Sequence, residues 1–367
     1  MESILKSELR EQAGSNSYNR FDYQAHWIVY HMLKEYERGS EFFVFCEYHD
    51  DMAKSGNVSN PSCAEFFQIK TSEKYKTWTL SRLTETTKKK NGEFKHSFLG
   101  FLFYNFLKFE KECTKCHFVS NIGMDRDIKT WQAIIEDELR LEKENNQMYT
   151  TIKSLIRVEF QELEEKHFDS VFDVFIQNTH IYHGDLSLEN YEKVVAGEFF
   201  NMLGNTEIYT SSSKKILRDI IEDVRKKSKH KIDIPISFNR LKEEKGVSSE
   251  IFSKIREQIN QTQSKKIYSD IEVFLGSQGM TLPQCKFIIR TLKVHHNRLL
   301  DISNTLYQDT MNELISTIDE LILNNFDRID DIDFFKRELK NLKGKRFNED
   351  INDFLMEALL YERLLIE

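Results

Sequence analysis

The sequence predicts an α/β N-terminal domain, a small mixed sheet flanked by helices, followed by an all-α C-terminal domain. Three observations carry this. Short runs rich in Phe and Val, "EFFVFCEY" (41–48), "AEFFQIKT" (64–71) and "KCHFVSN" (115–121), interrupt helical patterning in the first third. From 127 onward charged and apolar residues alternate at helical period, as in "IKTWQAIIEDELRLEKEN" and "RTLKVHHNRLLDISNTLYQDTMNELISTIDELI". The clear break is "HKIDIPISFNR" (230–240), where a Pro and a short β-like run lie between charge runs. It sets the expected boundary: one domain over 1–228 and a helical regulatory or oligomerisation domain over 229–367.

Taken in order, residues 21–38 place Phe21, Trp27, Ile28, Tyr30, His31 and Leu33 at spacings of an amphipathic helix, stopped by Gly39-Ser40. A buried strand over 41–48, a loop over "KSGNVSNPS" (54–62) and a strand over 64–71 read as a hairpin. A helix is expected near 79–90 and another over "FLGFLFYNFLKFEKE", then a strand over 115–121. Helices follow over 127–176, two more over 186–228, and an almost wholly helical pattern over 248–367.

Composition removes several classes. The 367 residues are 40% hydrophobic, enough for a core, while 3 Pro and 13 Gly argue against a turn-rich sandwich or a long linker. A net charge of -8 excludes a wholly basic nucleic-acid coat and leaves room for a local basic face. Five cysteines and a charged N-terminus, "MESILKSELREQ", make a reducing cytoplasm the expected compartment, without a disulfide framework. No apolar run approaches the roughly 20 residues of a membrane span.

Chemistry concentrates in the hairpin. The first strand ends in "EYHDD", with Glu47, Asp50 and Asp51; the second carries Gln68-Ile69-Lys70. Residues i and i+2 of a strand share a face, so Gln68 and Lys70 point together, opposite Phe67 and Ile69. Carboxylate and amide oxygens are hard ligands suited to Mg²⁺, which polarises a phosphate oxygen and acidifies a bound water. A nearby Lys supplies fixed positive charge for the transition state. The set suits phosphodiester hydrolysis. Between 70 and 96, eight basic side chains face three acidic ones, a local +5 that suits phosphate contact. Lys74, Lys76, Arg82, Lys88, Lys89 and Lys90 are the candidate DNA contacts.

"EYHDD", sixteen residues and then "QIK" resembles the PD-(D/E)xK nuclease core in the variant where Gln replaces the second acid. The upstream "GSNSYNRFDYQAHWIVYHML", with Gly14, Tyr23 and Gln24, and the later "FVSN" (Phe118–Asn121) are similar to one family within that group. These are double-strand DNA endonucleases of bacterial anti-phage defence, including the CBASS effector nuclease and the Lamassu nuclease subunit. The family often has His or another polar residue after the Lys, where this chain has Thr71, and the loop length leaves Asp50 and Asp51 both open as the acid; alternation favours Asp51. The resemblance implies a restriction-endonuclease-like domain using Mg²⁺ (or Mn²⁺). Asp51 and Gln68, with Glu47 or Asp50 in support, would hold the metal. Lys70 would stabilise charge, and Gln24 would reach the same site. It implies double-stranded DNA as substrate. The helical C-terminal third, which lacks strand patterning, favours the Lamassu type, in which an SMC-like ATPase and an accessory subunit hold the nuclease until release and homo-oligomerisation. A cyclic-oligonucleotide-gated CBASS effector and a non-catalytic interaction subunit on a degenerate nuclease fold are the alternatives.

Three other motifs have blander readings. "HGDLSLEN" (183–190) matches a kinase catalytic loop, but no Gly-rich strand pair or Asp-Phe-Gly accompanies it; Asp185 or Ser187 is expected to cap the following helix. "CTKCH" (113–117) matches a haem-attachment motif without a second ligand set. His295-His296 reads as surface or packing, and the carboxylate runs 136–144 and 159–165 as solvated helix faces.

Overall fold

The structure is a computed structural model and describes residues 13–56, 62–88, 94–203, 210–262, 265–299, 305–346 and 352–365. It divides into two compact units: Met1–Met202 with Ile221–Ile251, and Leu203–Ile220 with Phe252–Glu367.

The first unit is built on six strands: β1 (Phe43–Tyr48), β2 (Asp50–Ser55), β3 (Ala64–Lys70), β4 (Cys113–Ser120), β5 (Thr179–His183) and β6 (Gly246–Ser248). Their order is β6-β1-β2-β3-β4-β5. The β6-to-β3 half is antiparallel and the β3-to-β5 half parallel. Alternation sends Phe66 and Phe67 to opposite layers. On one side helix α1 (Ala13–Glu37) buries Tyr23, Trp27, Met32 and Leu33, and its Trp27 and His31 rings lie 6.0 and 5.0 Å from Phe67. On the other, helices α2 (Phe98–Phe109), α3 (Arg126–Glu136), α4 (Asn146–Glu159) and α5 (Glu165–Asn178) form one apolar core with Phe66, Ala53 and Phe118. Full burial of each such aromatic is worth on the order of 2–3 kcal/mol.

Several elements differ from the sequence expectation. The segment 41–71 is three strands: Tyr48 pairs with Asp50 across a tight turn, so Asp50 and Asp51 open β2 instead of ending β1. That turn has none of the usual Gly, Asn or Pro signals; Glu47 (φ 49°) and His49 (φ 62°) adopt the left-handed region. The helix expected near 79–90 is one turn, Leu80–Leu83, capped by Thr79. β5 falls in the gap between the helices expected over 127–176 and 186–228, where the sequence predicts no strand, and β6 falls beyond 228, in a segment (221–251) that packs with the first unit. Glu159 is not a solvated carboxylate: it accepts the Ser97 N–H at 2.9 Å and contacts the Ser97 hydroxyl, which itself caps α2 by accepting from Gly100.

"HGDL" has a structural role. Trp27 Nε1 donates to the Gly184 carbonyl at 3.0 Å and the Tyr23 hydroxyl to the Leu186 carbonyl at 2.9 Å, fastening α1 to the loop after β5. A Cβ on Gly184 would come within 2.7 Å of Trp27 and Val119, so the close approach requires glycine. The helix that follows, α6 (Tyr191–Leu203), starts against the Ser187 carbonyl, which accepts from Tyr191 N–H at 3.1 Å. Cys113 and Cys116 are buried free thiols 3.6 Å apart.

The second unit is helical in all its described elements from Phe252 to Leu365. Its last helix, Asp353–Leu365, buries Met356, Leu359 and Leu360 in one cluster with Leu275, Leu292 and Leu314. His295 and His296 are packing residues: the first meets the Tyr307 hydroxyl at 2.8 Å, the second Glu362 at 2.9 Å. No helix among the described residues is long and apolar enough to cross a membrane.

Candidate active site

The register of β2 against β3 runs Lys54↔Glu65, Ala53↔Phe66, Met52↔Phe67 and then stops. Beyond it a side chain replaces the ladder. Asp51 Oδ2 accepts the Ile69 N–H at 2.7 Å and the Lys70 ammonium at 2.8 Å. The Ile69 carbonyl is taken from α1, by Gln24 Nε2 at 3.1 Å. Both backbone groups between Gln68 and Lys70 are therefore claimed by side chains, as buried polar backbone demands. Downstream, Asn121 of "FVSN" donates to the Ser72 carbonyl at 3.1 Å and accepts the Ser72 N–H at 2.8 Å, fixing the chain just past Lys70.

Two further carboxylates converge here. Asp50 accepts the Asp51 N–H at 3.0 Å and the Asn105 amide at 3.2 Å. Burial, and then the Asp51 charge, push its carboxyl well above the ordinary range. Glu47 is pushed up to about 7, by loss of solvation and then by Asp51, although it stands at the open mouth of a cleft. Three carboxylates thus share the neighbourhood of Lys70, and Asp51 is the one at hydrogen-bond distance from it. Gln68 adds an unmet need: its Oε1 is buried with no hydrogen-bond partner among the described residues. A buried amide oxygen left bare costs about 1–3 kcal/mol.

The donor chemistry suits a divalent cation, although the ligand atoms of Glu47, Asp50 and Asp51 do not all lie within 4.8 Å of one another. Excess negative charge, hard oxygens and a bare buried carbonyl are what Mg²⁺ or Mn²⁺ coordination would satisfy. Elsewhere, Asp22, His26 and Glu192 bring one ligand atom each within 4.8 Å of one another. There the Asp22 oxygens are already engaged, one by Arg225 and the other by the Tyr191 hydroxyl at 2.6 Å, so Asp22 braces α1 against the residues that follow β5.

A family model described as "Cap4, dsDNA endonuclease domain" matches residues 12–228, more than half of the chain. The chain belongs to the Cap4 dsDNA endonuclease family. No curated protein matches it.

Within the Cap4-type domain, the residues expected from sequence fall into two groups. Gln24, Glu47, Asp50, Asp51, Gln68 and Lys70 gather at the end of β1–β3. Of the basic stretch, Lys74 and Lys76 are exposed and Arg82 packs over the Tyr75 ring at 4.1 Å while donating to the Thr77 carbonyl. The Lys88 side chain, Lys89 and Lys90 lie outside the described residues. Sequence reasoning missed Asn105 and Lys245. Asn105 is a lone amide in the apolar run "FLGFLFYNFLKF", a signal that a buried polar partner is needed. Lys245 lies far along the chain and only the fold brings it beside Glu47.

Proposed function

We propose that this anti-phage dsDNA endonuclease domain hydrolyses phosphodiester bonds with a divalent metal, Mg²⁺ or Mn²⁺, in a PD-(D/E)xK-type site. The observation that carries the reading is the bare, buried Gln68 Oε1 on the strand face of the Asp51–Lys70 pair. Asp51 and Gln68 would hold the metal, with Glu47 or Asp50 completing the set. The ion, when bound, supplies charge to polarise the scissile phosphate and to acidify water. Lys70 is oriented by Asp51 at 2.8 Å and places a fixed cation where a phosphate oxygen gains charge. Gln24 and Asp51 hold the Ile69 peptide, and so the spacing of Gln68 and Lys70. Asn105 keeps Asp50 directed at the site. Purified protein should cut linear double-stranded DNA with Mg²⁺ and lose this with Lys70→Ala. A Lys70→Ala variant as active as its parent sinks the assignment, and absence of cutting under every oligomeric state and partner would leave the non-catalytic interaction subunit in its place.

For control we favour the Lamassu type, with the chain held inactive by an SMC-like ATPase and an accessory subunit and active on release and oligomerisation. The wholly helical described part of Phe252–Leu365 supports it, since a mixed α/β nucleotide sensor needs strands. The family match supports the second reading, a CBASS-type effector gated by a cyclic oligonucleotide. Activation by added cyclic oligonucleotides alone would select that second reading.

A further inference from the structure

The sequence run "RKKSKHK" (225–231) carries five cations and a His in seven residues, and the site above uses none of them. It spans the end of helix α7 (Thr210–Lys229) and the start of the segment that returns as α8 (Phe238–Lys245) and β6. In the first unit this run borders a cleft of about 610 Å³ whose lining includes Gln24, Glu47 and Asp51. Arg225, Lys229, Lys231 and Lys245 line the same cleft.

These cations are not equivalent. Arg225 is consumed by Asp22 and Glu222, and Lys227, outside the lining, by the Gly246 carbonyl and Asp223. Lys229 and Lys231 are exposed and have no ion pair or hydrogen bond among the described residues. Lys245 is 3% exposed and its ammonium makes one long hydrogen bond, 3.4 Å to the Ser228 carbonyl, which leaves donors unused. Helix C-termini attract lysines through the helix dipole, which accounts for Lys229 taken alone. Lys231 lies past the last turn and Lys245 belongs to another helix, so the dipole does not explain the convergence of all three on one cleft.

We propose that Lys229, Lys231 and Lys245 form a phosphate track in this cleft, which holds the DNA backbone next to the scissile bond. The track rests on the reading of Asp51 and Lys70 as the hydrolytic centre. It lies beyond residue 228, outside the part matched by the family model. Tyr18 and Phe21, exposed aromatics at its border, offer ring faces for a nucleotide beside the backbone. The track solves a charge problem: Glu47, Asp50 and Asp51 repel a phosphodiester, and cations along its approach offset that repulsion.

The test uses full-length protein carrying Lys70→Ala, so that DNA stays intact, and a fluorescein-labelled duplex titrated across salt concentrations. Each phosphate contact contributes about 0.9 to the slope of log affinity against log salt. Adding Lys229→Ala and Lys231→Ala should lower that slope by nearly 2 and weaken binding at least tenfold at low salt, with an unchanged melting temperature. An unchanged slope, or no salt-dependent binding by the parent, overturns the track. Its failure is separate from that of the hydrolytic centre, which is read from cleavage and falls if Lys70→Ala in the otherwise native chain cuts DNA normally, or if the native chain cuts in no oligomeric state and with no partner.

Discussion

Two lysine–carboxylate clusters stand on the same pair of strands, β2 and β3, and they behave in opposite ways. At one end Lys54 lies 2.9 Å from Glu35 and 3.2 Å from Glu65, with Arg38 on Glu35 and His117 3.4 Å from Glu65. Burial alone would raise both carboxyls, but their partners outweigh it: Glu65 is held down to about 2, and Glu35 below its ordinary value. At the other end Lys70 meets Asp51 at a similar 2.8 Å, yet Asp50 and Glu47 beside it are both raised. Distance does not separate the clusters; charge balance does. The first has its carboxylates matched by cations and holds α1 to the sheet, although the His117 nitrogens and His31 Nε2 beside it are buried without a hydrogen-bond partner among the described residues. The second has more negative charge than its cations answer and keeps a bare amide oxygen, a cost that folding alone gives no reason to bear.

The largest effect should come from Lys70→Ala. Cleavage is expected to fall a hundredfold or more, the usual loss on removing a preorganised charge-stabilising group, about 3 kcal/mol in barrier. Linear-duplex cleavage at saturating Mg²⁺ checks it, with a melting curve to show the fold intact. Lys54→Met should do the reverse. It strands Glu35 and Glu65, lowers stability by about 2–4 kcal/mol in a denaturant titration, and leaves cleavage per folded molecule within a few-fold. If Lys54→Met abolished cleavage in fully folded protein, the contrast between the clusters would be lost.

Asp50→Asn should separate stability from activity. Because the folded-state pKa is raised, the ionised form is penalised above the ordinary carboxylate range. The amide removes that penalty, so the variant gains about 1–2 kcal/mol at pH 8, and the gain disappears below about pH 4. Cleavage should drop in the same protein. The smallest effect concerns His31, on the Lys54 side, lowered to about 3 by burial and then by Lys54. With the folded pKa depressed, its contribution is complete above pH 6.5 and declines as pH falls toward 3. Between pH 6.5 and 5.5 about 1 kcal/mol is lost, and His31→Phe should flatten that part of the stability profile.

Much of the candidate site is legible in the sequence because its residues are local. Asp51, Gln68 and Lys70 are read from two short segments, and alternation alone puts Gln68 with Lys70. What escaped depends on long-range packing. The turn at His49 has no sequence signal: the His49 ring rests 4.8 Å from Phe109, and Asn105 fixes Asp50, contacts spanning more than fifty residues. β5, "THIYH", follows directly on helix α5 and, at five residues between two helical stretches, is too short to stand out. β6 has three residues, and only pairing with β1 reveals it. Lys245 enters with it, which is why a boundary at 228 leaves one wall of the cleft out of view.

Under the proposed function the unbalanced cluster takes a divalent cation and the balanced one does not. Mn²⁺ titration followed by electron paramagnetic resonance tests it directly on the full chain. The expected result is a bound Mn²⁺ signal that disappears with Asp51→Asn, weakens at least tenfold with Gln68→Leu, and persists in Glu65→Gln and Asp22→Asn. Mn²⁺ binding that survives Asp51→Asn, or is lost instead with Asp22→Asn, would contradict it.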